Sequence, residues 1–293
     1  MMPLPEDRLG PETPSRPLVS VIVPARNEEL SLGACLRSLV AQAGVACEII
    51  VVDDGSTDST RAVAASFPGV RLLEARPCPP GWSGKANACQ SGADVSRGDW
   101  LLFTDADTVH RPGSLARALE EARQHGAGLL SYSPGQDVRG FLQRALMPLI
   151  FAELACTYRP AQVSDPASPA AAANGQYLLI ARPVYDQIGG HAAVAGDLLE
   201  DVALARAVKR AGHRLFFRYG ADRVRTRMYL SYSQMREGWS KNLALLFPSS
   251  DALTFWRTLE FLASVGAFTA MVAAAVLGVP AVALPAAAVA APT

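Results

Sequence analysis

The sequence has no excess of either charge: 27 Lys and Arg balance 27 Asp and Glu, for a formal net charge of zero. Phosphate-backbone binding needs a basic face, so a broad nucleic-acid surface is excluded. Cysteine pattern is also lacking. The five cysteines (Cys35, Cys47, Cys78, Cys89, Cys156) form no CxxC pair and no zinc spacing. That scatter reads as reduced, mostly buried thiols of a cytosolic domain. The histidines His110, His125, His191 and His213 show no ligand spacing, although His110 lies near a pair of acids. No GxGxxG follows the first two apolar runs, which argues against a nicotinamide fold. VPARNEE has no Gly-rich phosphate loop, which argues against a nucleotidyltransferase. No secretory signal is visible, and residues 1–17, polar and Pro-rich, are expected to form a disordered lead-in.

Charge disappears altogether at the other end, where Glu260 is the last charged residue. The uncharged stretch Phe261 to Val279 holds about 19 residues, enough at ~1.5 Å rise to span a bilayer core of ~30 Å. Arg236, Lys241 and Arg257 precede it, so the positive-inside tendency keeps the larger part of the chain cytosolic. Pro280 and Pro285 then break the pattern, and Ala281 to Ala291 is too short for a second span. The chain is expected to stop partway through a membrane region.

Before that end, short apolar runs alternate with helical spacing. Strands are expected over Leu18–Val23, Glu48–Val52, Val70–Glu74 and Trp100–Thr104, with one opening in Asn174–Ile180. Helices are expected over Glu29–Ala43, Ser59–Phe67, Lys85–Val95, Gly113–His125 and Leu198–Ala211, the last capped by Gly212. Val163–Ala173 reads as a Pro/Ala-rich loop and Tyr185–His191 as a Gly-Gly turn. Arg139–Tyr158 is apolar with few charges, either a helix lying at a membrane surface or a core helix. The alternation implies an α/β fold, a mostly parallel sheet with helices on both faces, where ligands bind beyond the carboxyl ends of the strands. Arg26-Asn27-Glu28, Asp53-Asp54 and Asp105-Asp107 all sit at such ends.

In FTDADT (Phe103–Thr108), Asp105 and Asp107 are one residue apart, so an extended chain turns both carboxylates to one face. Their repulsion calls for a cation, and hard divalent ions prefer oxygen. Two carboxylates leave an octahedral site incomplete, and phosphate oxygens of a substrate would complete it. The pair therefore reads as a metal-assisted diphosphate site, against the plainer reading of two solvated loop acids. Asp53 and Asp54 are candidates to accept hydrogen bonds from a ribose or base. Thr57 and Asp58 read as caps of the following helix. Glu200 and Asp201 open a helix, either as dipole partners or as the carboxylate that a general base requires.

The pattern resembles glycosyltransferase family 2, with its GT-A fold. It is carried by VSVIVPARNE (19–28), VVDDGSTDST (51–60), GKANA (84–88), WLLFTDADT (100–108), NGQYLLI (174–180) and LLEDVALARAVKRAGHR (198–214). The resemblance implies inverting transfer of a sugar from a nucleotide-diphosphate donor, a UDP-sugar being favoured. It implies that Pro24, Arg26, Glu28, Asp53, Asp54, Lys85, Asp105 and Ala106 bind the donor. It further implies that Asp105 and Asp107 hold Mn²⁺ or Mg²⁺, and that Asp201, beside Glu200, is the base. Processive members carry QxxRW, whereas QMREGWSKN (234–242) lacks the adjacent Arg-Trp pair, which favours single-sugar transfer. GWSGK, NGQ, RTRMY and GWSKN are similar to membrane-linked members acting on lipids, including hopanoid- and carotenoid-associated ones. By that likeness Asn174, Gly175, Gln176, Trp239, Lys241 and Asn242 shape the acceptor or lipid end. The expected organisation is a cytosolic GT-A domain over 18–250 and a C-terminal transmembrane region over 251–293. The location implied is the cytoplasmic (inner) membrane, with the domain facing the cytosol.

Two other readings compete. DADT with GDLLED (196–201) fits the motifs of haloacid dehalogenase-like phosphatases, where Asp105 would be the nucleophile. Against it, GDLLED follows GGHAAVAG where an apolar strand belongs. The other reading is a non-catalytic, membrane-anchored binder of sugar nucleotides.

Overall fold

The computed structural model describes residues 19–228, 232–246 and 250–277. The expected lead-in and everything from residue 278 onward lie outside the described residues. The chain divides into two compact units, Met1–Met235 and Arg236–Thr293.

In chain order the first unit runs β1 (Val19–Ala25), α1 (Leu32–Val40), β2 (Cys47–Asp53), α2 (Thr60–Ala65), β3 (Val70–Glu74), α3 (Gly84–Val95), β4 (Trp100–Phe103) and β5 (Thr108–His110). It continues with α4 (Ser114–Gln124), β6 (Ala127–Ser133), β7 (Gly135–Gln136), α5 (Phe141–Thr157), α6 (Pro160–Ser164), β8 (Leu178–Ala181) and α7 (Arg182–Gln187). A 3₁₀ turn (Gly190–Val194), α8 (Glu200–Arg210), β9 (Arg214–Tyr219) and β10 (Val224–Thr226) follow. Helix α9 (Tyr232–Leu246) crosses the division, and α10 (Ser250–Leu277) lies in the second unit.

Seven strands form one sheet in the order β3-β2-β1-β4-β8-β6-β9. All neighbours pair in parallel except β8, which runs antiparallel to both β4 and β6. The expected α/β architecture with a mostly parallel sheet is therefore found. Strands β6 and β9 are not among the sequence expectations. A second, small sheet, β5-β10-β7, lies under the turn that carries Asp105 and Asp107.

Alternation along the strands divides the core. Val19, Val21 and Val23 of β1 pack with Leu32 and Leu36 of α1 and with Leu115 and Leu119 of α4. Ile22, one position out of phase, joins Ile50, Ala88, Cys89 and Leu204 on the opposite face. Burial on both faces explains why these strands read as continuous apolar runs. Helix α3 lies close against the sheet because residue 92 is glycine: a Cβ there would stand 2.6 Å from Ile22 Cγ2. The expected C-cap is present, with Gly212 at φ +82° after α8.

Among the described residues, no helix is long and apolar enough to cross a membrane. The span expected over Phe261–Val279 runs past the described residues, so it stands as an expectation. The segment Arg139–Tyr158 forms α5 and is largely on the surface.

Candidate active site

The carboxyl ends of β1, β2 and β4 open onto a cavity of about 390 Å³ lined by Pro24, Ala25, Arg26, Glu28, Asp54, Gly84, Lys85, Ala88, Asp105, Ala106 and Asp107. Each strand delivers its share through a local device. After β1 the chain turns at Asn27, the one described non-glycine residue with positive φ (+55°), a conformation asparagine tolerates. Asn27 Oδ1 accepts the Thr57 N–H (2.8 Å), and the Glu28 N–H donates to Thr60 Oγ1 (2.7 Å). The loops after β1 and β2 are thus laced together. Asp58 accepts from the Thr60 N–H at 2.9 Å at the start of α2, whereas Thr57, the other residue expected to cap, bonds to Asn27 instead.

Asp54 faces the cavity, 3.6 Å from the Arg26 guanidinium. Asp53 does not, which corrects its assignment to the donor. Its side chain is fully buried, accepting from the Ser56 N–H (3.2 Å) and from Arg61 (3.1 Å). Consecutive residues at a strand end point to opposite sides, so only one of the two can line the cleft.

Beyond β4 the chain turns, the Thr108 N–H donating to the Asp105 carbonyl, and Asp105 and Asp107, half-buried, line the cavity with the buried Ala106 between them. Burial, reinforced by the charge of Asp105, pushes the Asp107 carboxyl up to about 7, against a hydrogen bond from Thr226. Asp107 Oδ1 is buried with no hydrogen-bond partner. An anionic oxygen left in that state is costly, and a divalent cation is the group that would satisfy it. The donor set therefore fits such an ion. Among the described residues no third His, Cys, Asp or Glu joins to make a complete protein site, which leaves positions for phosphate oxygens.

The turn itself is held from beneath. Thr104 Oγ1 donates to the Gln176 carbonyl (2.8 Å) and lies 2.9 Å from Thr108 Oγ1 and 3.1 Å from His110 Nε2. Burial lowers His110 to about 3, so it is neutral in this network. His110, close to the acids in sequence, thus supports their turn from beneath.

Helix α3 brings its N-terminal end to the cavity. Ser83 caps it, accepting the Ala86 N–H at 3.1 Å, and Gly84 and Lys85 are its first two residues. A Cβ at position 84 would meet the Asp54 carboxylate, so any larger residue there would displace that carboxylate from its place in the cavity. Lys85 Nζ lies 2.9 Å from Asp105 Oδ1 and 3.1 Å from Glu200 Oε1. Burial would lower the ammonium, but Asp105 and Glu200 outweigh it and hold Lys85 well above the ordinary lysine value.

Lys85 and Asp105 also border an adjoining recess of about 10 Å³, lined further by Gly175, His191, Glu200 and Asp201. Asp201, in the first turn of α8, accepts the Gly175 N–H through Oδ2 and the Val202 N–H through Oδ1, each at 2.8 Å. Burial and the neighbouring Glu200 push its carboxyl up to about 6, against Lys85 and the two N–H donors. Such a carboxylate is ionised near neutrality yet more basic than an ordinary one, as a general base requires.

Of the residues expected at the acceptor end, Gly175 borders this recess. Asn174 Oδ1 accepts the Gln176 N–H (2.9 Å) and builds the turn, while Gln176 is buried and donates to Thr226 Oγ1 (3.2 Å). Those two side chains support the site and do not line it. Trp239, Lys241 and Asn242 fall on α9 in the second unit, and the side chains of Lys241 and Asn242 lie outside the described residues. Sequence reasoning missed Gly84, His191 and Thr226. Gly84 and Thr226 fall within the stretches GKANA and RTRMY without having been given a role there, and the Ser83 cap, which sets a helix N-terminus beside a lysine, is a further signal for Gly84. The phosphatase motif fails locally, because a 3₁₀ turn, not a strand, precedes Gly196.

Residues 20–168, just over half of the chain, match the family model described as Glycosyl transferase family 2. Among curated proteins the chain is similar to 4,4'-diaponeurosporenoate glycosyltransferase of Staphylococcus aureus, at 29% identity over 235 residues, covering 77% of this chain. The chain spans about 60% of the length of that relative. Among solved structures it is similar to a mannosyltransferase from Pyrobaculum calidifontis in complex with GDP-Man and Mn²⁺, at 24% identity and TM-score 0.55, covering 74% of this chain and 58% of that one. It is also similar to S. aureus TarS 1–349 in complex with UDP-GlcNAc, at 16% identity and TM-score 0.50, covering 74% and 60%. These likenesses establish a common fold.

Proposed function

Because the chain belongs to glycosyl transferase family 2, we propose that it transfers a single sugar, with inversion, from a nucleotide-diphosphate sugar to a hydroxyl of a lipid acceptor. One observation carries the proposal: Asp54, Lys85, Asp105 and Asp107 converge on a cavity that adjoins the recess holding Asp201. The nucleoside lies against Arg26, Glu28 and Asp54, and the diphosphate against Lys85 and the N-terminal end of α3, whose dipole and free N–H groups favour anions. A UDP-sugar is the donor favoured. Solved proteins of this fold with GDP-Man and Mn²⁺ or with UDP-GlcNAc support a nucleotide sugar, and the relative named for a carotenoid acid supports a hydrophobic acceptor.

Asp105 and Asp107 would hold Mn²⁺ or Mg²⁺, whose chemistry is to offset charge on the diphosphate. Asp201 takes the proton of the acceptor hydroxyl. The oxygen attacks the anomeric carbon from the face opposite the diphosphate, and the bond to the leaving oxygen breaks with its electron pair departing on the nucleoside diphosphate. Lys85, held by Asp105 and Glu200, offsets that growing charge without having to reorganise. The uncharged C-terminal stretch supports action at the cytoplasmic membrane with the first unit in the cytosol. Trp239, Lys241 and Asn242 are proposed for the lipid end on sequence grounds.

The test is calorimetric titration of the detergent-solubilised chain with UDP and then GDP, with and without Mn²⁺. Metal-dependent binding that Asp107→Ala abolishes is the expected result. No nucleotide binding under any of these conditions would overturn the proposal.

A further inference from the structure

Helix α5 inverts the usual arrangement of a surface helix. The side chains it buries are Gln143 and Met147, whereas Phe141, Leu142, Leu146 and Leu149 are 84, 49, 37 and 67% exposed. At ~100° per residue these four, with exposed Ala145 and Ala152, fall within an arc of roughly 140° on one side of the helix. Over those three turns the arc carries no polar side chain. It ends at half-buried Glu153, the only acid of the helix. Contiguous exposed apolar surface of this kind marks a protein or membrane contact.

The chemistry of the face selects between those partners. A protein interface carries about one hydrogen bond per 100–200 Å² and needs polar groups to make them. This arc offers none, while the headgroup and acyl boundary of a bilayer asks only for apolar depth. The charges beside its first three turns are positive: Arg139 and Arg144 are both exposed, and no acid lies between Asp137, which is paired with Arg225, and Glu153 at the far end. That combination complements an anionic lipid surface.

We propose that the outer face of α5 docks in the plane of an anionic bilayer, Phe141, Leu142, Leu146 and Leu149 entering the headgroup boundary and Arg139 and Arg144 meeting the lipid phosphates. The helix follows β7, which pairs with β10, and β10 carries Thr226 beside the Asp107 carbonyl. The consequence, an active site held at the depth where a lipid hydroxyl emerges, rests on the transferase proposal.

The full chain, with Cys47→Ser, Cys78→Ser and Cys156→Ser, is given an environment-sensitive dye at Leu149→Cys or, as control, at exposed Glu120→Cys on α4. It is then bound to vesicles of phosphatidylglycerol with phosphatidylethanolamine, or of phosphatidylcholine alone. The dye at 149 is expected to shift to the blue and be quenched by acyl-chain nitroxide lipids, several-fold more in the anionic vesicles, while the dye at 120 is not. Hydrogen exchange on the unmodified chain should slow over 141–152 with the anionic vesicles, a readout independent of the substitutions. A dye at 149 that stays in water on vesicles carrying the chain, with no exchange protection, would overturn the proposal. So would shielding in lipid-free detergent that grows with protein concentration, which would assign the face to a second copy. Neither measurement uses nucleotide, so failure of the UDP and GDP titrations would refute the transferase reading without deciding this one.

Discussion

Asp201→Asn should cut turnover by orders of magnitude and stabilise the fold at once. The amide cannot take a proton, and losing a general base costs ~10²- to 10⁴-fold in kcat. Nucleotide affinity should survive, since Asp201 lines the recess and not the larger cavity. Stability follows from the raised carboxyl. Folding lifts Asp201 to about 6 from an ordinary value of ~3.9. A group raised in the fold contributes stability in full below its unfolded pKa and loses it as pH climbs through the folded one. At pH 7 ionised Asp201 is therefore a cost, with a ceiling of about 3 kcal/mol at ~1.36 kcal/mol per pH unit. Asparagine removes the charge but sets an amide N–H₂ against the Val202 or Gly175 N–H, which returns ~1–2 kcal/mol of that gain. A net gain of about 1–2 kcal/mol remains, equivalent to a Tm rise of roughly 2–6 °C. Calorimetric scans at pH 7 and pH 4.5 measure it, and the difference between variant and parent should shrink at the lower pH, where the parent is already protonated. A parallel kcat/KM profile of the parent should rise through about pH 6. Turnover unchanged in the variant would refute the base assignment, and a Tm that falls at pH 7 would refute the electrostatic account.

Three further expectations concern the donor side. Gly84→Ala drives a Cβ into the Asp54 carboxylate, so UDP affinity should drop by roughly tenfold, about 1.4 kcal/mol, with an unchanged circular dichroism spectrum. Asp53→Ala removes the acceptor of Ser56 and Arg61 and should lower stability by ~1–3 kcal/mol. Urea unfolding would read the loss, and a donor effect without it would restore Asp53 to the binding site. Chelation by EDTA should abolish UDP binding, with binding recovered on adding Mn²⁺ and not on adding Na⁺.

Much of the fold was legible because it depends on local chemistry. Val70–Glu74 matched its strand at both ends, and Trp100–Thr104 and Gly113–His125 were within a residue of theirs, since apolar period and Gly or Pro punctuation are properties of short segments. Strands β6 and β9 went unread. AGLLSYS opens on small residues and RLFFRY carries two arginines, so the pairing of β6 with β9 and with β8 comes from partners distant in sequence. The site divides in the same way. Asp54, Lys85, Asp105 and Asp107 were named from motif and strand end, whereas the roles of Asp53 and Gln176 were misread because which way a side chain turns at the end of a strand is set by packing.

By itself, then, the sequence determined an α/β chain with acids at three strand ends, a carboxylate at the start of α8 and an uncharged C-terminal stretch. All of these follow from composition and from spacing within a dozen residues. Only the tertiary structure decided that Lys85 stands between Asp105 and Glu200, residues far apart in the chain. It alone raised Asp107 and Asp201 by burial, and it alone left the apolar arc of α5 uncovered. The physical reason is common to all three. Charge coupling, desolvation and exposure depend on what surrounds a group in space, and that surrounding is supplied by elements the sequence separates by tens of residues.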